Sequence, residues 1–257
     1  MANRIKNIIG QIAQRRAVRR WSHLAKAAKD MDLETLRVTR GRARTMMRPL
    51  EQMIHVADSR LMLPLIGSNA IQQPLNSDWA YRPEIWRGPV SPRGISSAQN
   101  KATLGKEATV FHDCKISELT LRQIRNTREE DLAPFGLQMD VFKFDGSFLS
   151  IVLNLPDDAV HGLKKKHLLR MDAIVEMEKP LEIFARLNVK HGPNTEQLVR
   201  ELPLHEEEVM VEFDLTYTKM NEKRVERIWI DLIFEGPQMN QVILRDITFS
   251  RRPRAEL

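Results

Sequence analysis

Two rhythms of apolar residues divide the chain. Over residues 3–28, Ile5, Ile8, Ile9 and Ile12 recur at the three- and four-residue intervals of one helical face. Arg15, Arg16, Arg19 and Arg20 then interrupt the stripe before Trp21 and Leu24. Asp32 is placed to cap a second helix. Its stripe runs through Leu33, Leu36, Met47, Leu50, Ile54, Ala57 and Leu61, with Pro49 predicted to kink or break it.

From about residue 108 the period becomes two. Val209, Val211, Phe213, Leu215 and Tyr217 alternate with polar neighbours over residues 208–217. Segments 167–177, 181–189 and 225–235 repeat the pattern, each with one apolar side. Asp145-Gly146, between two alternating runs, predicts a tight hairpin turn. Strands joined by short turns, each with a single apolar face, predict antiparallel pairing in two packed sheets. The expected fold is mainly β: an antiparallel jelly-roll-like β-sandwich of nine or ten strands, with a barrel as the alternative, preceded by a basic α-helical segment. The expected division is a helical segment at 1–63, an irregular connection packed on the sandwich at 64–107, and the sandwich at 108–257. Three aromatics of the connection, Trp79, Tyr81 and Trp86, are expected to pin it to the core, although they are also a candidate aromatic platform.

Composition adds little to this outline. With 257 residues, 42% of them hydrophobic, the chain can bury a core that needs no disulfide or metal staple. The single cysteine, Cys114, excludes an intramolecular disulfide and fits a reducing compartment. The arginine-rich start lacks the apolar run of a secretory signal, and no segment has the length of a membrane span. A cytoplasmic location, free or peripheral to a membrane, is therefore expected.

Charge changes the picture more. The net charge of +6 divides into +9 over residues 1–66 and −3 over the rest. Arg15, Arg16, Arg19 and Arg20, with Lys26, Arg37, Arg40, Arg42, Arg44 and Arg48, form a footprint for an anionic partner. That partner is a membrane surface or an acidic protein, with nucleic acid a weaker alternative. The bland reading is a solvated charged face whose apolar stripe docks on the β-domain.

A second candidate is a polar sheet face. Arg227, Trp229 and Asp231 share the side of their strand opposite its apolar row. Neighbouring strands place Arg186, Asn188 and Phe184, together with Arg170, Asp172, Glu212 and Asp214, on what is expected to be the same surface. A ring beside Arg, Asp and Asn suits a sugar, which stacks on the ring while its hydroxyls hydrogen-bond. Its bland counterpart is an ordinary solvent face.

Catalytic signatures are sparse. His112 and Cys114 share a strand side, but such side chains stand roughly 6–7 Å apart, beyond hydrogen-bond reach. The seven histidines lack metal-ligand spacing, and no phosphate loop, nucleophile elbow or dinucleotide fingerprint occurs. No cofactor, metal or catalytic residue is expected.

The segments Thr109–Cys114, Phe144–Leu149, Leu187–Asn194 and Leu244–Pro253 resemble those of an alphaproteobacterial protein family of unknown function. The resemblance covers the β-domain and most of the chain, and it implies no activity. In outline the sandwich is also similar to carbohydrate-binding modules and galactose-binding-like domains. The functional expectation is a non-enzymatic binding or scaffolding protein that recognises glycan or protein on its sandwich. Its alternatives are a carbohydrate-active enzyme using carboxylates on a sheet face, and a nucleic-acid- or assembly-associated protein.

Overall fold

The computed structural model describes residues 2–62, 71–116, 118–128 and 130–254, and the chain divides into two compact units at Ile54/His55. Helices α1 (Ala2–Ala27) and α2 (Leu33–Met62) follow the helical rhythm. Asp32 caps α2: its Oδ1 accepts from the Thr35 backbone N–H at 2.9 Å, and that bond holds the carboxyl below its usual range. Helix α2 continues through Pro49 without a break. Proline there removes only the hydrogen bond to the Thr45 carbonyl, and the turns on either side carry the helix past it. Trp21 Nε1 meets Met46 Sδ at 3.1 Å, joining the two helices. The side chains of the isoleucine stripe lie outside the described residues.

Among the described residues the β-unit holds thirteen strands in two antiparallel sheets, a mainly β sandwich. They are β1 (Trp79–Tyr81), β2 (Gly94–Ile95), β3 (Thr103–Leu104), β4 (Ala108–His112), β5 (Leu119–Arg125), β6 (Phe135–Val141) and β7 (Leu149–Asn154). After a short helical turn at Asp157–Ala159 come β8 (His167–Met177), β9 (Glu182–His191), β10 (Asn194–Glu201), β11 (Glu208–Asp214), β12 (Val225–Glu235) and β13 (Asn240–Pro253). The first sheet runs β11-β8-β13-β6-β5-β2, with β1 also on β13; the second runs β10-β9-β12-β7-β4-β3.

Strict alternation builds the core. Leu169, Met171, Ala173 and Val175 of β8 and Val209, Val211 and Phe213 of β11 are buried. Ile228, Ile230, Leu232 and Phe234 of β12, with Ile183, Ala185, Leu187 and Val189 of β9, are buried in the second sheet. Two inner faces of this kind pack as a sandwich because each sheet has only one apolar side.

Connectivity differs from the expectation of paired neighbours. Asp145-Gly146 is no hairpin turn, because β6 and β7 belong to different sheets. Neither residue takes a positive φ, and the loop is held by Asp113, whose Oδ1 accepts from the backbone N–H groups of Ser147 at 2.6 Å and Phe148 at 3.3 Å. The tight hairpin is β9–β10, where Gly192 at φ +60° takes the left-handed position of a two-residue turn.

Residues 79–104 contribute three short strands and a helical turn, α3 (Glu84–Arg87). Trp86 is fully buried and Trp79 nearly so; Trp79 stacks on the half-buried Tyr81 with centroids 6.0 Å apart. Tyr81 donates to Glu107 Oε1, and Glu107 Oε2 accepts from the Glu84 N–H at 2.8 Å. Burial raises both the Tyr81 hydroxyl and the Glu107 carboxyl above their usual ranges. Gly105 closes this corner at φ +67°, where an added Cβ would strike Glu84 Oε1. Gly105→Ala is expected to cost about 1–2 kcal/mol, read as a lower urea midpoint with an unchanged slope; an unchanged midpoint would refute the assignment.

Strand β13 carries the most consequential irregularity. Its register shifts between Leu244 and Asp246, a bulge that turns both Arg245 and Asp246 toward the outer face. Along one side β13 pairs with β6 through Leu244 and with β1 from Phe249. Side chains fill the gap between them. The Leu244 carbonyl accepts from Trp86 Nε1 and the Arg245 carbonyl from Asn126 Nδ2, both at 2.9 Å. Arg82 forks onto Asp246 through Nε and Nη2, both at 2.8 Å. The backbone groups that the bulge frees from the ladder are thus satisfied.

Candidate functional site

The five residues proposed for ligand binding lie on the outer face of the second sheet. Register sets Asp231 opposite Arg186 and Trp229 opposite Asn188 on one side, and Trp229 opposite Asn154 of β7 on the other. Arg186 donates to Asp231 Oδ2 through Nε at 2.8 Å and Nη2 at 2.6 Å. Asn188 Nδ2 donates to the same oxygen at 3.1 Å, while its Oδ1 accepts from Gln197 at 2.8 Å. Three donors thus converge on one carboxylate oxygen. Asp231 Oδ1 is buried and has no hydrogen-bond partner, although the residue is only 4% exposed.

Trp229 is half-buried, and the guanidinium of the exposed Arg227 lies 4.9 Å from its ring centroid. Arg227 also donates to Asn154 Oδ1, which fixes the cation over one face of the indole. Chemically, the patch offers an aromatic surface, a fixed guanidinium and a desolvated acceptor awaiting a donor.

Arg170, Asp172, Glu212 and Asp214 do not belong to this surface. They stand on β8 and β11, on the outer face of the opposite sheet, so the single polar face expected from sequence is two. Alternation reports which side of its own sheet a residue occupies and says nothing of which sheet holds the strand.

That opposite face holds a groove of about 420 Å³, whose wall includes Arg82, Leu132, Arg170, Asp172, Asp246 and Thr248. Sequence reasoning missed it. Arg82 and Asp246 are 164 residues apart, and the bulge that presents Asp246 leaves no signal in the alternation. Burial pushes the Asp246 carboxyl above its usual range despite Arg82. Arg82 occupies both its oxygens, and Arg170 Nε donates to both oxygens of Asp172 at 2.9 and 2.8 Å. Of the four carboxylates on this wall, Asp172 and Asp246 are therefore committed to neighbouring arginines, while Glu130 and Glu208 are exposed.

His112 and Cys114 form no reactive pair. His112 Nδ1 accepts from the Cys114 backbone N–H at 3.1 Å and Nε2 lies 2.8 Å from the Ala98 carbonyl, while burial pushes the Cys114 thiol up. Among the described residues no three His, Cys, Asp or Glu side chains converge as a metal ion would require. In the helical unit, Arg15, Arg16, Arg19 and Arg20 are all exposed, within a sector of about 140° on α1.

Among solved structures, the chain is similar to a family 11 carbohydrate-binding module of Clostridium thermocellum, solved with a β-1,3-1,4-mixed-linked tetrasaccharide. Identity is 10% and the TM-score 0.39, over 63% of this chain and 97% of that one. It is also similar to the CBM22-1 xylan-binding domain of Paenibacillus barcinonensis Xyn10C, at 9% identity and TM-score 0.36 over 72% and 100%. A third likeness is the enzymatically active domain of bacteriophage CBA120 tailspike protein 4, at 7% identity and TM-score 0.40. It covers 56% of this chain but only 19% of the tailspike, so the chain spans about a fifth of that protein's length. No curated protein sequence matches the chain. Residues 1–257 match the model of DUF6478 throughout, and the chain belongs to this family of unknown function.

Proposed function

We propose that the β-unit is a non-enzymatic recognition module that binds glycan on the outer face of its second sheet, and that the basic helical unit contacts an anionic partner. The observation that carries the first half is Asp231 Oδ1, a buried carboxylate oxygen without a donor beside a half-buried tryptophan. An acceptor in that state costs free energy until a donor arrives, and a sugar hydroxyl is such a donor. The ring's apolar face would pack on the indole, taking the place of the Arg227 guanidinium. A glycosidase would need two carboxylates free for proton transfer and attack. In the groove of the first sheet, Asp172 and Asp246 are each held by an arginine, and Glu130 and Glu208 are solvent-exposed. No carboxyl there is both free and desolvated, which favours recognition over hydrolysis.

The test is titration of the full chain with soluble cello-, xylo- and galacto-oligosaccharides, followed by calorimetry and tryptophan emission. At least one series is expected to bind, and Trp229→Ala and Asp231→Asn are each expected to weaken it at least about tenfold, or 1.4 kcal/mol. Binding that survives Trp229→Ala unchanged, or no binding by any series, would remove the glycan reading.

A further inference from the structure

We infer that the anionic partner of the helical unit is a lipid bilayer, met by an apolar sector of α2 that arginines border on both sides. This rests on the anionic-partner reading above and names the partner. At 100° per residue, Met46, Met47, Leu50, Met53 and Ile54 fall within a sector of about 120° on α2. All five are exposed, from 44% at Met46 to 66% at Met53. Scattered apolar residues on a surface are ordinary, but five large ones gathered on one helical sector are not.

The charges are placed around that sector. Arg42 lies about 20° beyond one edge and Arg40 about 20° beyond the other, where Arg37, Arg44 and Arg48 continue the cationic side. All five arginines are exposed. Between Arg37 and Ile54 the one acidic residue is Glu51, on the Arg40 side. A helix lying in the headgroup region has this layout: apolar residues down, long cationic side chains reaching sideways to the phosphates. Nucleic acid would satisfy the arginines through its phosphates but would leave Met47, Leu50 and Ile54 in water. The bilayer satisfies both sets, and this decides between the two.

The experiment is co-flotation of the full chain with vesicles of phosphatidylcholine alone, or with about a third phosphatidylglycerol. Parallel measurements use a labelled DNA duplex at low and physiological salt. Binding to the phosphatidylglycerol vesicles is expected to exceed that to phosphatidylcholine at least about tenfold. Met47→Ser with Leu50→Ser and Ile54→Ser is expected to reduce vesicle binding at least about tenfold and to leave duplex binding unchanged. Should that variant lose helicity by circular dichroism, Met47→Leu with Leu50→Met and Ile54→Leu takes over, and it must retain vesicle binding. Vesicle binding unaffected by the serine variant, or duplex binding without vesicle binding, overturns the bilayer and keeps an anionic partner. Indifference to both vesicles and duplex overturns both.

Discussion

Asp246→Ala is expected to lower the folding stability of the β-unit by about 3–5 kcal/mol, because it takes a two-pronged carboxylate away from a buried guanidinium. Arg82 is 2% exposed, and Asp246 takes two of its N–H donors at 2.8 Å each. Removing the carboxylate withdraws the Asp246 counter-charge from a guanidinium that is almost wholly buried. The loss comes from that poorer compensation of a buried charge and exceeds the net worth of the pair. Arg82→Met combined with Asp246→Leu is therefore expected to recover much of it, since apolar replacement of both partners of a buried pair is often close to neutral. Urea denaturation of the three variants beside wild type reads the difference directly. A loss below about 1 kcal/mol for Asp246→Ala would show that the guanidinium does not depend on this carboxylate, contrary to the burial of the pair.

The second large effect is expected at Trp86→Ala, about 3–5 kcal/mol. Trp86 is fully buried on a four-residue helical turn, and its indole N–H meets the Leu244 carbonyl just before the bulge in β13. The substitution opens a cavity and also frees a buried carbonyl, so two penalties act at one point. Trp86→Phe separates them: it keeps most of the apolar volume, loses the donor, and is expected to cost less than half as much. Equal losses for the two variants would mean that the hydrogen bond dominates. A small loss for both would mean that the turn containing Trp86 can detach without disturbing the sandwich.

Much of this architecture was legible from residue order because strand rhythm is a local property. Alternation located β8 and β12 at their observed limits, and Asp32 announced the start of α2. Long-range relations were not legible in the same way. Asp145-Gly146 has the chemistry of a hairpin turn, yet the strands around it lie in different layers, and the loop's partner is Asp113. Arg170 and Arg186 look equivalent in sequence, each two residues from a polar neighbour on an alternating strand, but they face opposite sides of the sandwich. The candidate glycan surface was partly legible. Trp229, Arg227, Asp231, Arg186 and Asn188 do come together, whereas Asn154 and the unpartnered oxygen of Asp231 emerge only from cross-strand register. The groove beside Asp246 was invisible, since one extra residue in a strand reverses the side on which everything after it points.

Strand β13 follows every other strand of its sheet in the chain and yet lies in that sheet's middle, flanked by β8 on one side and by β6 and β1 on the other. During vectorial synthesis the earlier strands of that layer emerge with a vacant slot at their centre, and β8, β6 and β1 cannot complete their ladders until residues 240–253 arrive. Joining of the two halves of the layer is then a late event governed by contacts distant in sequence, the kind of topology that folds slowly. Until that moment the nascent chain exposes open strand edges, which gives it a window of vulnerability to misassociation.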